Sequence, residues 1–93
     1  MTQSSTIDAA VEIEISKQHY ARATVAYLTR LREIVGSLDT LTEGGHGHDY
    51  AVTVRASEKP RIWGLLADLR FEIDEEFGVT ITTLAVSGED QSQ

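Results

Sequence analysis

The sequence predicts a small α+β or α/β domain: a three-stranded sheet carrying two helices on one face, in the order β-α-β-α-β. Three observations lead there. Val11, Ile13 and Ile15, and later Tyr50, Val52, Val54 and Ala56, alternate with more polar neighbours at the period of two expected of a half-buried strand. Two long segments between and after these runs carry apolar residues at helical spacing. A β-branched run, VTITTLAV over 79–86, then follows a glycine at position 78. With 93 residues the chain has material for one core. Residues 1–6 and 87–93 are polar and aperiodic, which predicts disordered tails around a single domain over 7–86.

The first strand, Val11 to Ser16, places Glu12 and Glu14 on the solvent side. Ser16 suits the N-cap of a helix in which Tyr20, Thr24, Tyr27, Leu31, Ile34 or Val35, and Leu38 share a face, with Val25 and Leu28 broadening it. Gly36 offers a left-handed end to that helix, although Leu38 and Leu41 prolong the pattern to about Leu41. Residues 43–49, EGGHGHD, hold three glycines in seven positions and read as a loop. The second strand begins at Tyr50. Ser57 is the expected cap of the second helix, Pro60 falls in its first turn, where a missing N–H is harmless, and Gly78 terminates it. In the third strand Val79 and Ile81 are out of phase with Leu84 and Val86. Either a bulge near Thr82 and Thr83 or a strand apolar on both faces explains that.

Composition excludes several functions. The formal charge of −7 disfavours a phosphate-backbone partner, so no nucleic acid is expected. No apolar run approaches the ~20 residues that span a bilayer, and the amino terminus lacks a signal-peptide pattern, so the expected location is the cytoplasm, away from membranes. A chain with no cysteine has neither disulfides nor thiolate metal sites.

The candidate chemistry is sparse. His46 and His48 flank Gly47 with Asp49 adjacent, which makes these three the candidate metal ligands. Alternate residues of a glycine loop rarely converge on one ion, so neither a metal nor any other cofactor is expected. His19, in the first turn of the first helix, has no sequence neighbour to act with and reads as a surface residue. Glu72, Asp74, Glu75 and Glu76 crowd the carboxyl end of the second helix, where its dipole is unfavourable to anions. They form a charge run rather than two carboxylates with separated pKa values, as acid–base catalysis would need. No nucleophile elbow and no glycine-rich phosphate loop occurs. The expectation is a protein that is not an enzyme.

Gly36 to Leu41, GSLDTL, and Glu75 to Ile81, EEFGVTI, look like two fragments of acyl carrier proteins, in which a serine carries phosphopantetheine. In that family one short helix joins the two. Here a glycine loop, a strand and part of a helix intervene, and Ser37 lacks the preceding aspartate, so the resemblance assigns no carrier function. Strand-helix-strand units of this length also occur in ferredoxin-like regulatory domains, a similarity of architecture only.

What remains is the second helix, which is apolar on two sides. Ile62, Leu66, Leu69, Ile73 and Phe77 recur at steps of four, three, four and four and form a core stripe. Phe71 lies roughly opposite that stripe at about 100° per residue, beside Gly64 and Ala67 and near Trp63. The expected function is therefore a protein–protein interaction or oligomerisation module, an adaptor or homodimer, in which Trp63, Gly64, Ala67 and Phe71 make the contact. Asp68, Asp74 and Glu75 would form its rim, facing Arg30 or Arg32 of a neighbour. Two competing dispositions are that the first helix wraps over Phe71, or that the ring is simply exposed. The alternative functions are a small-molecule-sensing domain of ferredoxin-like architecture, with ligand near the EGGHGHD loop, and metal binding through His46 and His48.

Overall fold

The computed structural model describes the backbone of residues 2–87 and the side chains of residues 11–87. Two helices and a three-stranded mixed sheet follow the order α-β-β-α-β: α1 (Thr2–Val35), β1 (Thr42–Glu43), β2 (Tyr50–Val54), α2 (Lys59–Phe77) and β3 (Thr83–Ser87). Strand β2 is central. It pairs antiparallel with β1 and parallel with β3, and Val52 faces Ala85 across the parallel ladder.

The core begins with two helical stripes. Ala23, Tyr27 and Leu31 of α1, spaced by four, meet Ile62, Leu66, Leu69 and Ile73 of α2, and all seven are buried. Val52, Ile81 and Ala85 complete the cluster. The predicted stripe of α2 is thus its core face, with Phe77 half-buried at its end. Pro60 lies in the first turn as expected. Ser57 does not cap the helix: a 3-10 turn over Ala56–Glu58 leads into it, and Glu58 occupies the cap position without a capping side-chain hydrogen bond, its carboxylate accepting the Arg61 Nε–H at 2.8 Å instead. Gly78, at φ 68°, ends α2 with its N–H on the Asp74 carbonyl at 2.7 Å.

The segment predicted as the first strand is helical instead: Val11 to Ser16 belong to α1, a helix of 34 residues. A strand must find a neighbour for every other backbone group, whereas a helix anchored by Ala23, Tyr27 and Leu31 extends by closing one internal bond per added residue. At about 1.5 Å per residue α1 is about 50 Å long, and it accounts for most of the 60 Å length of the molecule. All residues from Val11 to Arg22 are exposed, among them Val11, Ile13, Ile15 and Tyr20. The stretch of α1 from Val11 to Arg22 therefore lies outside the core.

Helix α1 stops at Val35, the earlier of its two expected ends. Gly36 adopts φ 87° and donates its N–H to the Arg32 carbonyl at 2.8 Å, so Leu38 and Leu41 pack against the core from a connecting loop. The first true strand is Thr42–Glu43, a stretch too short to show a period. Its pairing with β2 turns the predicted glycine loop into a hairpin connection. Within it, a side chain on Gly44 would sit 2.5 Å from the His48 carbonyl oxygen and 2.8 Å from that of Tyr50, so only glycine allows the two arms to close.

The phase conflict in the third strand resolves without a bulge. Ile81, Thr83, Ala85 and Ser87 all point inward and are buried, while Leu84 and Val86 lie half-buried on the other face. The pattern misled because two inward positions are hydroxyl residues. The Tyr27 hydroxyl shares a 2.5 Å hydrogen bond with the Thr83 hydroxyl, and the Tyr27 ring stacks on Tyr50 with centroids 6.2 Å apart. Of the tails expected at the two ends, residue 1 and residues 88–93 lie outside the described residues, α1 takes in the backbone from Thr2, and Ser87 is the last residue of β3.

Burial pushes the Tyr27 phenol above its ordinary pKa of 10.0, opposed by the Thr83 hydrogen bond, and burial also raises Tyr50. A raised folded-state value means that the unfolded chain loses its proton first, so stability is intact below about pH 10 and falls as pH rises above it. Urea denaturation should show a midpoint that declines as pH rises beyond that value. At neutral pH Tyr27→Phe should cost about 1–2 kcal/mol, because Thr83 is left buried without its side-chain partner, and it should lessen the alkaline decline. Gly44→Ala should lower stability by about 1–3 kcal/mol through the two carbonyl clashes, measured in the same way.

Candidate functional site

The site is the side of α2 turned away from the core. Phe71 is 73% exposed, the most exposed large apolar residue among those described, and Trp63 is 41% exposed. Gly64 and Ala67 are exposed between them, and among the described residues nothing lies within 4 Å of where a Gly64 side chain would be. The four residues predicted from the helical wheel therefore share one open surface. Helix α1 does not cover Phe71, because it packs on α2 from another side. There Arg30 reaches Glu72 at 3.1 Å and Glu76 at 3.0 Å, and the His19 Nε2 lies 2.5 Å from the Phe77 carbonyl oxygen.

Those two contacts change the expected electrostatics. Arg30 was expected to meet acids of a neighbouring molecule and instead holds α1 to α2 of its own chain. The acidic run is thereby divided: Glu72 and Glu76 face Arg30, and Asp74 takes a 3.5 Å contact from the Thr80 hydroxyl. Asp68 and Glu75 remain exposed beside the stripe. Exposed pairs such as those of Arg30 contribute about 0–1 kcal/mol each, so they orient the helices more than they stabilise them. His19, expected to stand alone, closes the carboxyl end of α2, where a donor meets carbonyls that no longer have helical partners. Its ring also tilts against Phe77 with centroids 5.9 Å apart. Sequence spacing carried no signal for that contact, since 58 positions separate the two residues.

Beside the stripe is a hollow of about 140 Å³ lined by His48, Trp63, Leu66, Ala67, Arg70, Thr82 and Thr83. Its walls are mainly apolar. The His48 Nδ1 is buried and has no hydrogen-bond partner among the described residues. The hairpin loop brings His48 here, and Asp49 fixes that loop: its carboxylate accepts the Thr82 N–H at 3.0 Å, while its own N–H bonds the Thr82 carbonyl at 3.1 Å. His46, at φ 56°, is exposed at the tip of the loop. The three candidate metal ligands are thus assigned to different surroundings, and no group of three or more His, Cys, Asp or Glu side chains is disposed to hold a metal among the described residues. Among these residues, no helix is long and apolar enough to cross a membrane.

Comparison with known protein families, with curated proteins and with solved structures gave no match to this chain. The functional reading accordingly rests on the surface of α2 and the hollow beside it.

Proposed function

We propose that this protein is a non-enzymatic interaction module that associates with protein, first with a second copy of itself, through Trp63, Gly64, Ala67 and Phe71 of α2, with Asp68, Asp74 and Glu75 at the rim. The observation that carries this reading is the exposure of Phe71: an aromatic ring 73% open to water, on a helix whose opposite face already fills the core. Burying such a ring is worth about 1.5–3 kcal/mol, a sizeable fraction of the stability of a domain this small. Aromatic anchors flanked by small residues are also the composition of a contact centre. A cysteine-free, acidic chain fits the cytoplasm, which is the location proposed.

Sedimentation velocity over a range of protein concentrations tests the reading. The wild type should shift towards dimer as concentration rises, and Phe71→Asp should sediment as monomer throughout with an unchanged far-UV circular dichroism spectrum. Identical monomers from both proteins would remove self-association.

A second reading, small-molecule sensing, is favoured by the orphaned His48 nitrogen. The hollow has the size that takes one aromatic ring, and a ligand hydroxyl there would give the imidazole its missing partner. Trp63 is the only tryptophan in the chain and lines the hollow. Its emission should saturate on titration with phenol in the wild type and fail to do so in Ala67→Leu, which fills the space. A linear, non-saturating response in the wild type would eliminate this reading.

A further inference from the structure

We infer that the occupant of the outer stripe is the same stripe of a second copy, the two α2 helices lying antiparallel about a two-fold axis that passes by Ala67. The inference rests on the proposed self-association and specifies its geometry. Three features of α2 carry it.

The first is spacing. Phe71 and Trp63 stand four residues on either side of Ala67, so an antiparallel pairing centred there brings each Phe71 opposite the partner's Trp63 and Gly64. On a wheel of about 100° per residue, Gly64 and Phe71 fall within about 20° of each other on the outward side, which lines each ring up with the opposing glycine. The second is shape. Phe71 projects, Gly64 leaves open space with nothing within 4 Å of its missing side chain, and Ala67 between them is small enough for two helices to approach closely. A glycine in the middle of an exposed helix weakens that helix. No atom of the described residues makes use of the gap, whereas a ring from another copy would fill it.

The third is charge. Helix α2 begins with Lys59 and Arg61 and ends with Asp74, Glu75 and Glu76; Glu76 is held by Arg30, and Arg61 pairs with Glu58 at 2.8 Å, which leaves Asp74 and Glu75 next to the stripe. Parallel pairing would set acids against acids. Antiparallel pairing sets Asp74 and Glu75 of each helix over the first turn of the other, beside its amino-terminal dipole and near Lys59, which turns an unfavourable placement into a favourable one. Asp74, Glu75 and the amino-terminal turn they would meet belong to the same helix, as a contact between identical patches requires. One helix pair makes a contact at the small end of stable interfaces, so the dimer should form and dissociate with concentration.

The natural absence of cysteine makes a disulfide test direct. Under mild oxidation Ala67→Cys should give a covalent dimer, since the two positions meet near the axis. Asp68→Cys, turned about 100° around the helix, should stay monomeric, and adding Phe71→Ala to Ala67→Cys should cut the yield about tenfold or more, as for an interface anchor. Without oxidation, Trp63 emission should move to shorter wavelength as wild-type concentration rises and stay fixed in Phe71→Ala. A Phe71-dependent dimer in sedimentation that is not trapped by Ala67→Cys, or is trapped equally by Asp68→Cys, overturns this geometry and leaves self-association standing. A wild type that is monomeric at every concentration overturns both.

Discussion

The junction that holds this fold together is Tyr27. Its ring is fully buried, its hydroxyl meets Thr83 of β3, and its face stacks on Tyr50 of β2. One side chain thus ties the long helix to both parallel strands. The rest of the core accommodates it: Ala23 and Ala85 are small, and Leu31, Leu69 and Ile73 close around the same interior. A hydroxyl pair in the core costs little when each group satisfies the other and much when one is missing. This makes Tyr27 and Thr83 a single feature, and their pairing specifies the register of α1 against the sheet in a way that interchangeable aliphatic contacts do not.

That register leaves α1 and α2 differently employed. Helix α2 is covered along its core face and clamped by Arg30 and His19 at its carboxyl half, so its outer stripe is presented on a rigid support. Helix α1 is buried only from Ala23 onward among the described side chains, with His19 making an earlier contact to α2, and its stretch from Val11 to Arg22 carries Val11, Ile13, Ile15 and Tyr20 into water. Both are helical surfaces with more apolar character than one small sheet can bury. They differ in pattern: α2 gathers its surplus around one small-residue centre, whereas the surplus of α1 is spread around the helix, since Val11, Ile13 and Ile15 differ by about 200° at each step. A focused patch supports a defined contact, and a dispersed one does not.

Helix α2 could be read from the sequence because its evidence is local. A stripe of five residues at steps of three and four, with a proline at the start and a glycine at the end, encodes a helix, its buried face and therefore also its opposite face. The candidate site came with it, since Phe71, Ala67, Gly64 and Trp63 follow from the wheel alone. The core assignment of α1 from Tyr27 to Ile34 was legible for the same reason. The first strand was misread because Val-Glu-Ile-Glu-Ile alternates as a strand would, and no local signal reports that the segment has no sheet to join. Strand β1 is two residues long and has no period, and β3 hid its phase behind inward Thr83 and Ser87.

By itself, then, the sequence determined the second helix, the central strand, the hairpin glycines and the absence of thiol chemistry, because each depends on neighbours a few positions away or on composition. Tertiary structure alone decided that residues 11–16 extend a helix, that Thr42 and Glu43 pair with Tyr50 and Ala51, that His19 and Arg30 reach across to α2, and that His48 sits beside Trp63. Those outcomes join groups far apart along the chain, and what selects among them is how the apolar core closes and which backbone groups can pair once it has.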